Sequence, residues 1–143
     1  MRILSALLLC AALPASAEEA LHFYSRADSK APFSAVVRAG DVLYVSGQIG
    51  ANAEGKLPAD MKDQAKLAMT HLDEALKQAG SGLSDVFKCT VMLTDMSQWA
   101  AFNEIYVTFF QPGRLPARSA VGANGLAMGA AVEVECMAYK PLK

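Results

Sequence analysis

Histidine, cysteine and clustered positive charge are all in short supply in this 143-residue chain, and each shortage narrows its chemistry. The two histidines, His22 and His71, lie far apart, and the three cysteines, Cys10, Cys89 and Cys136, form no CxxC pair and no Cys/His cluster. A metal centre therefore has no ligand set at a usual spacing, and no metal is expected. Thirteen Lys and Arg stand against fourteen Asp and Glu without a basic run, which argues against nucleic acid as a partner. GxSxG, HExxH, P-loop and GxGxxG patterns are missing as well. A Cys/His nucleophile pair would need folding to bring distant residues together.

Long apolar runs are absent except at the start. Met1-Arg2 is a short basic region, residues 3–13 are apolar, and Ala15-Ser16-Ala17 follows Pro14. That is the pattern of a secretory signal peptide, too short to span a bilayer, with cleavage after Ala17. A lipoprotein cut before Cys10 fits poorly, because Leu8-Leu9 stand where small residues belong. The expectation is one domain, residues 18–143, that is periplasmic or secreted and free of the membrane once the signal is removed. Loss of Arg2 leaves 12 basic against 14 acidic residues, a net charge of −2. Cys89 and Cys136 then remain. They read as two buried thiols, each inside a strand pattern, with a disulfide as the alternative in an oxidising compartment.

The periodicities predict a β-hairpin, a helix, a strand, a second helix and two further strands. Residues 21–24 are a short first strand, and 35–37 and 42–45 flank a turn carrying Gly40 and Asp41. A helix is expected between an Asp60 N-cap and Gly80. Ala65, Ala68, Met69, Leu72, Ala75, Leu76 and Ala79 form its apolar stripe, and Lys62, Asp63, Lys66, Asp73, Glu74 and Lys77 its solvated face. His71 borders that face and reads as a boundary residue. Residues 86–93 form a strand with Phe87, Cys89, Val91 and Leu93 on one side. Residues 98–110 form a helix with the stripe Trp99, Phe102, Ile105, Tyr106 and Phe109, read as core. The order predicts a two-layer α+β domain, both helices on one face of a mixed sheet. The other face, of mixed polarity, is expected to be buried against another subunit.

Arg118 is the lone cation between residue 115 and Lys140, restrained by the preceding Pro116-Ala117. Its planar fork suits a carboxylate, although an exposed arginine at a strand end is the commoner case. Glu133 and Glu135 lie two apart, hence on one face of a strand. They are either a pair whose repulsion would favour a general base, or two solvated acids. Together, Arg118 and the acids suggest a small anion-binding, acid/base site on a sheet. In Ser46-Gly47-Gln48-Ile49-Gly50 the glycines point either to a close approach by another group or to an ordinary strand end.

The segments Val45-Ser46-Gly47-Gln48-Ile49-Gly50, Val86-Phe87-Lys88-Cys89-Thr90-Val91-Met92-Leu93-Thr94-Asp95-Met96, Phe102-Asn103-Glu104-Ile105-Tyr106, Pro116-Ala117-Arg118-Ser119-Ala120-Val121 and Val132-Glu133-Val134-Glu135 resemble, in order, the Rid family of RidA/YjgF-type enamine/imine deaminases. The resemblance implies a chorismate-mutase-like α+β fold and a homotrimer with clefts between subunits. It implies a hydrolase of the 2-iminobutanoate/2-iminopropanoate deaminase type, turning 2-imino or enamino acids into 2-oxo acids and ammonia without a cofactor. Arg118 would clamp the substrate carboxylate and Glu133 would position water. Gly47 and Ala120 would line the cleft with main-chain groups, Asn103 would support it, and Phe33 would stand where relatives often carry a tyrosine. Ala120 replaces a frequent cysteine, and a glycine-rich connection replaces a more charged one. A trimer that only binds small carboxylates is the alternative reading.

Overall fold

The computed structural model describes residues 21–25 and 29–142; the expected signal segment, Cys10 included, lies outside them. Six strands form one sheet in the order β1 (His22–Tyr24), β2 (Val36–Ala39), β3 (Val42–Ile49), β6 (Val132–Tyr139), β4 (Val86–Leu93), β5 (Ala117–Gly122). Every pairing is antiparallel except β4 with β5. The sheet is mixed, as expected. Helices α1 (Met61–Gln78) and α2 (Trp99–Tyr106) pack on one face over a single core.

The local signals for α1 act as predicted. Asp60 accepts from the backbone N–H of Lys62 at 2.7 Å and of Asp63 at 3.3 Å, satisfying donors the helix cannot. Gly80, at φ +73°, ends it in a conformation that costs most residues energy. The apolar stripe is buried, and Met69, Leu72 and Leu76 are fully so. Each contributes about 1.5–3 kcal/mol relative to exposure. Gln64 is an unforeseen buried polar residue in this helix. It donates to Pro58 O (2.7 Å) and accepts from the Ala131 N–H (2.8 Å), tying the loop before α1 and the entry to β6 to one side chain.

Strand neighbours were the part that periodicity left open. The two last strands do not form a hairpin across their glycine-rich connection. β4, α2 and β5 form a crossover unit that lays β5 parallel on the outer edge, and β6 inserts between β3 and β4. This placement sets Cys89 directly opposite Cys136, with Cα atoms 4.0 Å apart, and the two are joined by a disulfide. The expectation of two free thiols is thereby corrected, though both residues are buried as foreseen. A second correction concerns Phe87. A register irregularity between Val86 and Lys88 turns its ring outward, away from Cys89, Val91 and Leu93. The second helix is shorter than expected, with 3₁₀ turns at Met96–Gln98 and Val107–Phe109 flanking it.

Candidate functional site

Arg118 leaves β5 in register with Cys89, so its side chain emerges on the helix-covered face. There α2 presents Trp99, Phe102 and Tyr106, whose spacing stacks them along one ridge. The Arg118 guanidinium carbon lies 4.3 Å from the Trp99 ring centre, 4.4 Å from Tyr106 and 5.8 Å from Phe102. Cation–π contacts of this kind contribute about 0.5–2 kcal/mol. They also leave the edge of the fork free. One edge atom, Nη2, donates to Asn103 Oδ1 at 2.7 Å, which fixes the rotation of the plane. Burial pushes the guanidinium below its ordinary pKa, opposed by Tyr106, but arginine stays charged at any physiological pH. Among the described residues Arg118 makes no ion pair. The described residues hold a half-buried cation in place and do not neutralise it. Ala120, two residues on, shares its face of this edge strand.

Tyr106 sits 2% exposed, with no partner for its hydroxyl among the described residues. Burial raises its pKa, and the Arg118 charge works against that rise.

A second group of residues gathers around the end of β3. The β3–β6 ladder is irregular between Val45 and Gln48, and the Glu133 carboxylate lies in the space a Gly47 side chain would fill. Gly50 is likewise pressed against the backbone of Gln64. Both glycines answer to close approach, one of the two alternatives the sequence leaves open. Glu133 and Glu135 do share the face away from the helices, as the alternation with buried Val132 and Val134 requires. Gly47 also lines an open cleft of about 610 Å³, together with Phe33, Gln48, Ile49, His71 and Met128. His71 reaches it from α1, with Nδ1 3.0 Å from Ile49 O; a carbonyl only accepts, so Nδ1 carries the proton.

Within one chain these groups stay apart. Arg118, Asn103 and Ala120 lie on the helix side at the β5 edge. Glu133 lies on the other face, on a strand separated from β5 by β4, about 10 Å at the usual strand spacing. Within one chain the Arg118 group and the Glu133 group thus face different directions.

Several residues here escaped the sequence reading. The aromatic stripe was legible, but as core; only its contact with Arg118 reveals a cradle. His71 looked like a boundary residue because nothing local tells that α1 crosses β3 at Ile49. Met128 has a positive φ of 59°, unusual for a side chain of its size, and no sequence signal marks it.

The family model described as Endoribonuclease L-PSP matches residues 23–140, nearly all of the described chain. The chain belongs to the Rid family. Among its relatives is a mouse 2-iminobutanoate/2-iminopropanoate deaminase, 42% identical over 76% of this chain and 82% of that protein. A RutC family protein of Pyrococcus horikoshii is 37% identical over 76% of this chain and 87% of its own length. Solved Rid folds superpose closely. YyfA of Yersinia pestis, a Rid protein of unknown function, gives a TM-score of 0.79 at 30% identity, over 84% of this chain and 99% of that one. TdcF of E. coli, solved with bound serine, gives 0.73 at 32% identity, over 78% and 91%. This Rid domain shares their mixed sheet and two-helix layer.

Proposed function

We propose that this Rid protein hydrolyses 2-imino or enamino acids to 2-oxo acids and ammonia, without a cofactor. The observation that carries the reading is Arg118, stacked on α2, rotated into place by Asn103 and, among the described residues, left without an acidic partner. Such a fork pairs with a planar carboxylate through two parallel hydrogen bonds. Holding the carboxylate fixes C2 of the imine, so that attack by water becomes effectively intramolecular. Glu133 takes a proton from that water as its oxygen bonds to C2 and the C=N pair moves to nitrogen. That proton passes to nitrogen to give the carbinolamine; Glu133 then takes the hydroxyl proton as C=O forms and returns it to nitrogen as the C–N bond breaks, so that ammonia leaves. The relatives named as 2-iminobutanoate/2-iminopropanoate deaminases support this chemistry.

Because Arg118 and Glu133 face apart in one chain, the working site is completed between subunits of a homotrimer. Exposed Tyr44, Phe87 and Tyr139 fit such an assembly. Light scattering is expected to give three times the protomer mass. Export is also part of this reading, with a secreted or periplasmic chain beginning at Glu18, and the mass of the mature protein checks it. Imines generated in place by an amino-acid oxidase test the activity. The mature protein is expected to speed ammonia release, and Arg118→Ala to lose it by about 100-fold or more, the scale of a lost charged clamp. Equal inactivity of both on a broad panel would overturn the reading.

Phe33 favours a second reading, since it offers no hydroxyl to a ligand. A trimer that only binds small carboxylates would be stabilised by 2-oxo acids yet release no ammonia. The endoribonuclease label of the family model has no basic cluster here to hold RNA.

A further inference from the structure

The cleft at the end of β3 has an uneven chemistry. Its polar residues are turned to the chain's own needs. Ser29 Oγ accepts from the Ala31 N–H at 3.2 Å, and Gln48 donates to Ser46 O at 2.8 Å. Asn52 Oδ1 accepts from the backbone of Glu54 (3.1 Å) and Lys56 (2.9 Å), His71 binds Ile49 O, and Glu74 is not free either. Beside these groups the cleft presents two large, exposed apolar side chains. Phe33 and Met128, both lining it, are 60% and 65% exposed.

Met128 is held there against its backbone preference. It occupies the left-handed region at φ 59°, ψ 11°, immediately before Gly129 at φ 76°. Glycine would take that conformation freely, yet the position carries a long, adaptable thioether aimed away from the core. The loop cannot easily relax, because Ala131 is pinned to buried Gln64 three residues on. Strain retained at an exposed apolar side chain on the rim of a cleft is an outlier from which a function can be argued.

We propose that the cleft receives the substrate's side chain and that Met128, which lines it together with Phe33, selects 2-imino acids with bulky apolar side chains over those with small or polar ones. The inference rests on the deaminase reading above and names its substrate class. Gly47 connects the two, since it lines the cleft and also packs against Glu133. Apolar pockets discriminate by about 10- to 200-fold per methylene-sized change, so a leucine-sized group against a methyl should be read clearly.

The experiment uses the mature protein with imines generated from leucine, methionine, alanine and serine. Alongside it, thermal shifts are measured with 4-methyl-2-oxopentanoate and pyruvate. Wild type is expected to favour the leucine-derived over the alanine-derived imine by about tenfold or more in kcat/KM. Met128→Gly removes the wall and relieves the backbone, and is expected to cut that ratio by about tenfold; Met128→Leu is expected to keep it. Turnover without a side-chain preference, or a preference that Met128→Gly leaves intact, overturns the inference while the deaminase reading stands. No turnover, but stabilisation graded in favour of the bulky oxo acid and flattened by Met128→Gly, overturns the deaminase reading and keeps the ligand class. No turnover and no graded stabilisation overturns both.

Discussion

Arg118 and Gly47 show how single residues acquire a role from what touches them. The Tyr106 hydroxyl beside Arg118 is buried without a partner among the described residues, and an unsatisfied buried polar group costs about 1–3 kcal/mol. Tyr106→Phe is therefore expected to raise stability by about 1 kcal/mol in urea unfolding, unless ligand later supplies the partner. The two glycines make a contrasting pair. A methyl at position 47 meets the flexible end of Glu133, whereas one at position 50 meets the backbone of Gln64. Gly47→Ala is expected to leave the urea midpoint nearly unchanged while displacing Glu133 and lowering deamination. Gly50→Ala is expected to cost about 1–3 kcal/mol, because packed backbone cannot swing aside. Equal loss of stability in both would contradict the placement of Glu133. Gly47 stood out in the sequence as a glycine within a strand, but the group that excludes its side chain comes from a strand more than eighty residues away and could not be read.

At the scale of elements, periodicity read α1 and β4 well, since each is decided by its own stripe and caps. The pairing of strands was beyond it. Alternating apolar residues say which face of a strand is buried, not which strand lies beside it. The disulfide follows from that pairing alone, as Cys89 and Cys136 meet only because β6 runs between β3 and β4. Closing a loop with a sequence separation of 47 restricts the unfolded chain by about 4 kcal/mol in the chain-entropy account. Reduction with a strong phosphine is expected to lower the unfolding free energy by up to about that amount. Thiol titration of the denatured, unreduced mature protein is expected to find no free thiol; two would refute the bond. The second helix is flanked by 3₁₀ turns at both ends, so the single helical stretch read from the apolar stripe is divided into three pieces.

For the whole molecule, one ionic contact near the end of the chain couples stability to pH. Lys140, just past β6, reaches Asp85 before β4 at 2.9 Å, and Ser81 donates to the same carboxylate at 2.8 Å. Burial pushes the Asp85 carboxyl up, but the hydrogen bonds from Lys140 and Ser81 outweigh it and hold the group below its ordinary 3.8. A carboxyl depressed in the folded state favours folding at and above that ordinary value, and the contribution is lost as pH falls through the lower folded value. Stability is expected to fall in acid below about pH 4, and Asp85→Asn to flatten that fall in urea midpoints taken from pH 7 to 2. An unchanged acid limb would show that the contact is idle.

Local physics determined much of this protein from the sequence alone: the cap and stripe of α1, the strand of residues 86–93 and the two-layer class. Those features depend on neighbours within a turn or a strand, where spacing is geometry. Arg118 and Glu133 stood out through the family resemblance, not through spacing. The tertiary structure decided what spacing does not contain. It set the strand order, joined the cysteines, cradled Arg118 in an aromatic ridge and packed Glu133 against Gly47. It also turned Arg118 and Glu133 to opposite faces, because a β4–α2–β5 crossover puts Arg118 on one side of the sheet while the alternation of β6 sends Glu133 to the other.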